Sequence, residues 1–183
     1  PMRGTEFLPV SRQEMEQRGW DGYDFLVVTA DAYVDHPSFG TTIIARVLEA
    51  AGWRVAILSQ PDWHSADAFQ AMGKPRYGIL IGGGNIDSMV AHYTAAKKRR
   101  SKDLYSPGGR MGLRPDRPTI VYANRCREAF PGLPVIVGGL EASLRRFAHY
   151  DYWLDTVLPS IAEDSGADII SFGMGEHQTV EIA

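Results

Sequence analysis

Five short apolar runs, separated by helical patterns, constrain the fold of this chain more than any other feature of its sequence. Each run is only three to six residues long, rich in Val, Ile and Leu, and lacks polar alternation. That pattern is typical of strands buried on both faces of a parallel sheet. The runs occupy residues 25–30, 54–58, 77–81, 135–137 and 168–171.

Between these runs the sequence predicts helices. Residues 38–53 carry Ile43, Ile44, Val47 and Leu48 at a 3.6-residue period, and Gly52 is placed to end that helix. Further helices are predicted over 67–72, from Asn85 or Asp87 to about 96, over 120–130, over 143–164, and from Glu176 onwards. The alternation predicts an α/β fold: a doubly wound, mostly parallel five-stranded, Rossmann-like sheet with helices on both faces.

Glycine-rich and polar turns follow four of the predicted strands. The carboxyl ends of parallel strands meet at one edge of the sheet, where doubly wound folds bind their ligands. We therefore predict a cofactor- or substrate-binding site there. Its candidate residues are Asp35, His36, Ser38, Gly40, Gly82, Gly83, Gly84, Asn85, Gly138, Gly139, Glu141 and Glu176.

Each of these turns also has a structural interpretation. A helix start near residue 38 suits an anion and offers His36 as a ligand or polar contact, but capping by Asp35 or Ser38 explains the same residue types. Residues 82–85 form neither a phosphate-binding loop nor a dinucleotide fingerprint. The three glycines at 82–84 let a ligand approach the backbone closely, or simply let the chain turn. The glycine pair at 138–139 repeats this pattern after the fourth predicted strand, and Ser143 is a natural cap for the helix that follows.

Charge is unevenly distributed. The net charge is −3, yet residues 97–117 hold eight basic residues against two acidic ones, so the remaining chain carries −9. The segment is punctuated by Gly and Pro and is predicted to be a long loop. Its cations Lys97, Lys98, Arg99 and Arg100 are candidate contacts for an anion or substrate, or a solvated face. Nucleic acid is left open but not favoured, because the sequence shows no stacking or recognition-helix motif.

Composition excludes several classes of protein. A single cysteine, Cys126, excludes disulfide scaffolds, Cys-rich zinc sites and an iron–sulfur cluster held by this chain alone. We expect that thiol to be buried and inert. No apolar run approaches the ~20 residues of a membrane span, so we expect no membrane association and a cytoplasmic location.

Phe147, Tyr150 and Trp153 fall at helical spacing and predict a packed aromatic stripe.

Several long motifs together resemble one family. They read DAYVDHPSFG at 31–40, QPDW at 60–63, NIDSMV at 85–90, HYT at 92–94 before KKRR, YSPGG at 105–109, GGLEASLRRFAHYDYW at 138–153 and GMGE at 173–176. In this order they resemble the N-terminal region of the YgiQ-type radical SAM proteins. The resemblance runs from about Phe7 to the last residue.

That resemblance implies a larger protein. Its radical SAM barrel would follow residue 183, be the main partner of this domain, and carry a Cys-x-x-x-Cys-x-x-Cys motif for a [4Fe–4S] cluster and S-adenosylmethionine. We expect residues 1–24 to be an extension and 25–183 an accessory domain that is not catalytic alone. The chain starts on Pro1 and stops inside a helical pattern, as expected of a piece of a longer protein.

The same region is similar in layout to cobalamin-binding domains, whose first motif is Asp-x-His-x-x-Gly. Here Asp35, His36 and Gly40 place the histidine one position early, so cobalamin binding stays open while histidine ligation of cobalt is in doubt.

The leading hypothesis is an accessory domain that positions cofactor or substrate for a radical SAM enzyme of unknown substrate. The alternatives are an interdomain scaffold without ligand and a nucleic-acid-handling domain that uses the basic loop.

Overall fold

The structure, a computed structural model, describes residues 7–183 as an α/β fold with seven strands and eight α-helices among those residues. In chain order the elements are α1 (Arg12–Gln17), β1 (Phe25–Thr29), α2 (Gly40–Ala50), β2 (Val55–Ser59), α3 (Asp67–Gln70), β3 (Gly78–Gly82), α4 (Ser88–His92), α5 (Pro118–Ala129), β4 (Val135–Gly138), α6 (Gly139–Leu144), β5 (His149–Asp151), β6 (Thr156–Leu158), α7 (Ile161–Ser165), β7 (Ile169–Ser171) and α8 (Glu176–Ile182).

Five of the strands form one sheet in the order β2-β1-β3-β4-β7, and every pairing in it is parallel. In the middle of the sheet, Val27 of β1 lies between Ile57 of β2 and Leu80 of β3. This confirms the predicted doubly wound fold. The strand order reverses between β1 and β3, and the carboxyl ends beside that switch point are where such folds hold ligands.

Alternate side chains of the strands form two cores, one on each face of the sheet. Leu26 and Val28 pack with α3, α5 and α7, whereas Phe25 and Val27 pack with α2 and α8. The period of two that sends successive side chains to opposite faces explains why the runs show no polar alternation. Both faces are covered, so both sets of side chains must be apolar.

Part of the predicted N-terminal extension belongs to these cores. Leu8 is buried on the α2 face, and Met15 of α1 is buried on the opposite face. Residues 1–6 lie outside the described residues. The domain boundary at residue 25 stays a prediction.

The predicted helix over 143–164 is wrong. Helix α6 ends at Leu144, the antiparallel hairpin β5–β6 follows, and α7 starts only at Ile161. The Asp151 carboxylate accepts the N–H groups of Trp153 and Leu154, which closes the turn of the hairpin and competes with a helix. Consequently Phe147 and Tyr150 are not a packed stripe and are 70% and 60% exposed.

The caps predicted for α2 and α6 were wrong, whereas Asp87, one of the two caps predicted for α4, was confirmed. The residue before α2 is Phe39, which makes no side-chain cap, and α6 begins after Gly138, so that Ser143 lies inside it. Helix α4 ends at His92, earlier than predicted, and is capped by Asp87. In the part of the chain that the structure describes, no helix is long and apolar enough to cross a membrane.

Candidate functional site

A cavity of about 480 Å³ opens at the carboxyl end of the sheet, between the sheet and helices α2 and α8. Its floor is made of the buried side chains of Val27, Leu80 and Ile136, and Ile43 and Ile44 of α2 form a wall. Protein interiors rarely leave voids much larger than a water molecule, so a gap of this size on a core face is a candidate binding site.

Seven of the twelve predicted site residues line this cavity. They come from four separate segments and include glycines at the carboxyl ends of β3 and β4. The seven are Gly40, Gly82, Gly84, Asn85, Gly138, Gly139 and Glu176. Glu176 is the only charged residue among the described residues that line the cavity, so the interior favours an apolar ligand with a neutral or cationic end.

Asn85 fixes the mouth of the cavity. Its Oδ1 accepts the N–H of Gly40 at 3.2 Å, and its Nδ2 donates to the Ser38 carbonyl at 2.7 Å. One side chain therefore ties the turn after β3 to the start of α2, which are 45 residues apart in sequence.

Asp35, His36 and Ser38 do not line the cavity. The Asp35 carboxylate pairs with the Arg46 guanidinium, which lowers the pKa of Asp35. His36 is exposed, and its Nδ1 accepts the N–H of Ser38 at 3.1 Å. These three residues stabilise the loop before α2 and leave the cavity to other side chains.

Gly83 and Glu141 have a structural role in the arrangement. Glu141 is fully buried, and its two carboxylate oxygens accept the N–H of Ser88 at 3.2 Å and of Thr119 at 3.1 Å. It thereby places a carboxylate at the first turns of α4 and α5. A Cβ on Gly83 would lie 2.9 Å from Glu141 Cβ, so the glycine makes room for this carboxylate.

The crevice between β1 and β3 is closed by a buried ion cluster. The Arg114 guanidinium is fully buried and donates to both oxygens of Asp103 at 2.7 Å and to Asp31 Oδ1 at 3.0 Å. The other Asp31 oxygen accepts the Asn85 N–H at 2.7 Å. Burial nevertheless raises the pKa of Asp31 to about 6, against the opposing effects of that N–H and of Arg114.

His92 extends this cluster toward the surface. Its Nδ1 lies 2.6 Å from Asp116 Oδ1, and the Tyr93 hydroxyl donates to the other Asp116 oxygen at 2.7 Å. His92 Nε2 is buried and lies 4.0 Å from Asp103, beyond hydrogen-bond distance. The basic segment is therefore not a simple solvated loop, because its Arg114 and Asp103 side chains are buried at the switch point.

The four predicted anion contacts lie apart from the cavity. Lys97, Lys98, Arg99 and Arg100 are all exposed, and none lines it. Sequence reasoning missed Thr41, Ser143, Ser171 and Thr179, which supply polar groups to the cavity wall. Ser171 ends β7 and could have been found from that position, but the others lie inside helices and carry no local signal.

Within residues 7–183, no three His, Cys, Asp or Glu side chains are grouped to hold a metal ion. Cys126 is buried on α5, and burial raises its pKa to about 12, as expected of the predicted inert thiol.

Fold and cavity together define a Rossmann-like α/β domain with a cavity where such folds bind their ligands. The family model described as Radical SAM N-terminal matches residues 7–183, so the chain belongs to the Radical SAM N-terminal family. This agrees with the family resemblance of the sequence motifs.

Relatives of known sequence extend the comparison. A UPF0313 protein of Clostridium perfringens (strain 13 / Type A) is 58% identical over 182 residues, which are 100% of this chain and 28% of that protein. A UPF0313 protein of Clostridium botulinum (strain Loch Maree / Type A3) is 57% identical over the same lengths. The chain thus spans little more than a quarter of the curated relatives it matches. No solved structure matches it.

Proposed function

We propose that this domain holds a small, largely apolar ligand in the cavity, as the substrate- or cofactor-positioning part of a longer radical SAM protein. The observation that carries the proposal is the cavity itself, about 480 Å³ in volume, at the carboxyl ends of the strands. Its volume and apolar floor are typical of small-molecule sites. The family and the greater length of the relatives support a role within a larger enzyme.

The residues of this chain do not fit the [4Fe–4S] cluster that the resemblance implies for the full-length protein. Such clusters need several cysteine thiolates, whereas Cys126 is the single cysteine and is buried with a raised pKa. We therefore assign the cluster and S-adenosylmethionine to the rest of the protein. The residues described here would bind and orient a molecule for that chemistry.

A cobalt-ligating histidine does not fit either. His36 is exposed, accepts a hydrogen bond from the Ser38 N–H, and does not contribute to the cavity. We assign no ligand role to it. Titration with hydroxocobalamin tests the corrin separately, and an unchanged corrin spectrum would exclude cobalamin as the ligand.

The cavity can be tested with phenylnaphthylamine, a neutral dye that fluoresces in apolar surroundings. Gly40 lines the cavity, and a Cβ there would meet nothing within 4 Å, so Gly40→Leu adds a bulky side chain at the cavity mouth. We expect saturable binding to the wild-type chain and at least about tenfold weaker binding to Gly40→Leu. Ala50→Leu, at the exposed far end of the same helix, is the matched control and should bind normally. Equal binding by both variants would contradict the proposal.

A second candidate function, an interdomain contact, is favoured by an exposed apolar rim beside the cavity. Leu144 ends α6 and Phe147 follows it, while Phe172 and Met174 follow β7; their exposures are 61%, 70%, 51% and 85%. The Arg146 guanidinium lies over both phenylalanine rings, at 4.8 and 5.2 Å from their centroids. An apolar rim of this kind marks an interaction surface.

We propose that this rim contacts the remainder of the full-length protein. Introducing Leu144→Glu and Phe172→Glu together into the full-length protein should expose the domain junction to limited proteolysis. Leu104→Glu, at an exposed position in the basic loop, is the control and should leave the digestion pattern unchanged. Identical digestion of the two variants would argue against the contact.

A further inference from the structure

The β5–β6 hairpin presents an aromatic face to solvent. Tyr150 pairs with Val157 across the ribbon, and Tyr152 follows two residues later. These three side chains are 60%, 68% and 50% exposed. Asp151, between the two tyrosines, points inward, where its carboxylate is buried and pairs with Arg117 at 2.7 Å. The inward ion pair anchors the ribbon, and its outward face stays open.

The fold brings Lys97, the first of the four cations at 97–100, against this hairpin. Lys97 Nζ lies 4.8 Å from the centroid of the Tyr152 ring and donates to the Trp153 carbonyl at 3.4 Å. The Tyr152 hydroxyl donates to the Ala95 carbonyl at 2.7 Å, and the Tyr93 ring lies 5.3 Å from that of Trp153. Residues more than 50 positions apart in sequence therefore form one surface.

This surface carries an excess of positive charge. Across residues 7–183, no carboxylate lies within 4.0 Å of a side-chain nitrogen of Lys97, Lys98, Arg99 or Arg100. The neighbouring acids have other partners, since Asp155 accepts from the Tyr150 hydroxyl at 2.6 Å and Asp116 from Tyr93. Lys97 contacts the hairpin, and Arg100 donates to the carbonyls of Val90 and Tyr93, yet all four cations are exposed and can attract a polyanion.

We propose that the hairpin and these cations form a binding surface for single-stranded nucleic acid, in addition to the cavity. Exposed aromatic rings stack on unpaired bases, while lysine and arginine side chains beside them contact the phosphates. A duplex hides its base faces and would use only the cations. The combination of exposed rings and exposed cations therefore favours a single strand over a duplex.

Fluorescence anisotropy with a labelled oligouridine of about 12 nucleotides tests this on the 183-residue chain. At about 50 mM salt we expect binding that weakens steeply toward about 200 mM. Tyr150→Ala should weaken it at least about 5-fold, the equivalent of about 1 kcal/mol of lost stacking. Tyr150→Phe keeps the ring, loses only the bond to Asp155, and should bind like the wild type.

Charge variants separate contact from general electrostatics. Lys98→Ala and Arg99→Ala should each reduce the slope of log affinity against log salt by about 0.7. Lys74→Ala, exposed at the opposite end of the sheet before β3, should not. The proposal is overturned by absence of binding at the lower salt, by equal affinity for the duplex, by equal competition from polyglutamate, or by Tyr150→Ala binding like the wild type.

Discussion

The two sides of the sheet's carboxyl end differ in whether they leave space for a ligand. Beside β1 and β3, Arg114 and two aspartates fill the switch point with buried, mutually bonded charge. On the α2 and α8 face the space is open, apolar and lined by glycine turns. The charged cluster thus fills one side of the switch point, and the open space lies on the α2 and α8 face of the sheet. A glycine-rich strand end can therefore either make room for buried side chains or line a cavity.

The largest effect should come from opening the closed side. Arg114→Met leaves Asp31 and Asp103 buried without their cation, and we expect the free energy of unfolding to fall by about 3–5 kcal/mol. Urea unfolding followed by circular dichroism measures this. Arg110→Met, at an exposed position of the same loop, should change it by less than about 0.5 kcal/mol. A loss below about 1 kcal/mol for Arg114→Met would show that the cluster does not hold this side closed.

The closed side should also have an unusual pH dependence. The folded pKa of Asp31 is raised to about 6, so the folded state binds its proton more tightly than the unfolded state. Its contribution to stability is therefore present at low pH and falls by about 3 kcal/mol between about pH 4 and pH 6.

Comparison of the wild type with Asp31→Asn isolates this pH dependence. The stability of the wild type relative to Asp31→Asn should fall as pH rises through that window. Asp35 has a lowered pKa and the opposite sign, so the stability it provides is lost as pH falls. Parallel profiles for wild type and Asp31→Asn, measured by unfolding at each pH, would contradict the assignment.

Adding a single methyl group at Gly84 should reveal how closely the charged side is packed. Gly84 has φ +98°, and a Cβ there would lie 2.2 Å from Asp31 Oδ1. Gly112 has φ +87° with nothing within 4 Å, so Gly112→Ala isolates the backbone cost. We expect Gly84→Ala to cost about 2 kcal/mol more than Gly112→Ala. Equal losses of unfolding free energy in the two variants, measured in urea, would mean that the ion cluster accommodates the methyl group without strain.

The smallest change is expected on the open side. A Cβ at Gly40, which lines the cavity mouth, would meet no other atom within 4 Å, so Gly40→Leu should change stability by less than about 1 kcal/mol. The same variant should lose dye binding. Thermal unfolding together with dye titration checks both, and a large loss of stability would show that the cavity is too tight for a ligand.

The sheet could be predicted because each strand is buried on both faces and its apolar run is local. The hairpin could not. Phe147, Tyr150 and Trp153 repeat at a spacing that also fits a helix, and only the Asp151 turn, with its tertiary pair to Arg117, decides against it. A local sequence pattern does not predict an ion pair between residues so far apart in sequence.

The candidate site shows the same limit. The glycine turns could be found because carboxyl ends of parallel strands share one edge. Arg114 lies in the segment predicted to be a basic loop, and no local pattern marks it as buried, because its partner Asp31 lies 83 positions away. Glu141 resembled a ligand contact, yet it holds two helix starts that only the fold brings together. Residues whose role depends on distant partners could not be assigned from sequence.

Hydrogen exchange with and without phenylnaphthylamine tests the central distinction between the two sides most directly. With saturating dye, we predict slower amide exchange at the start of α2, across residues 138–144 and across 171–179, which surround the cavity. Exchange across 103–114 should not change. Slowing confined to residues 103–114, or no slowing around the cavity, would contradict a ligand site on the open side.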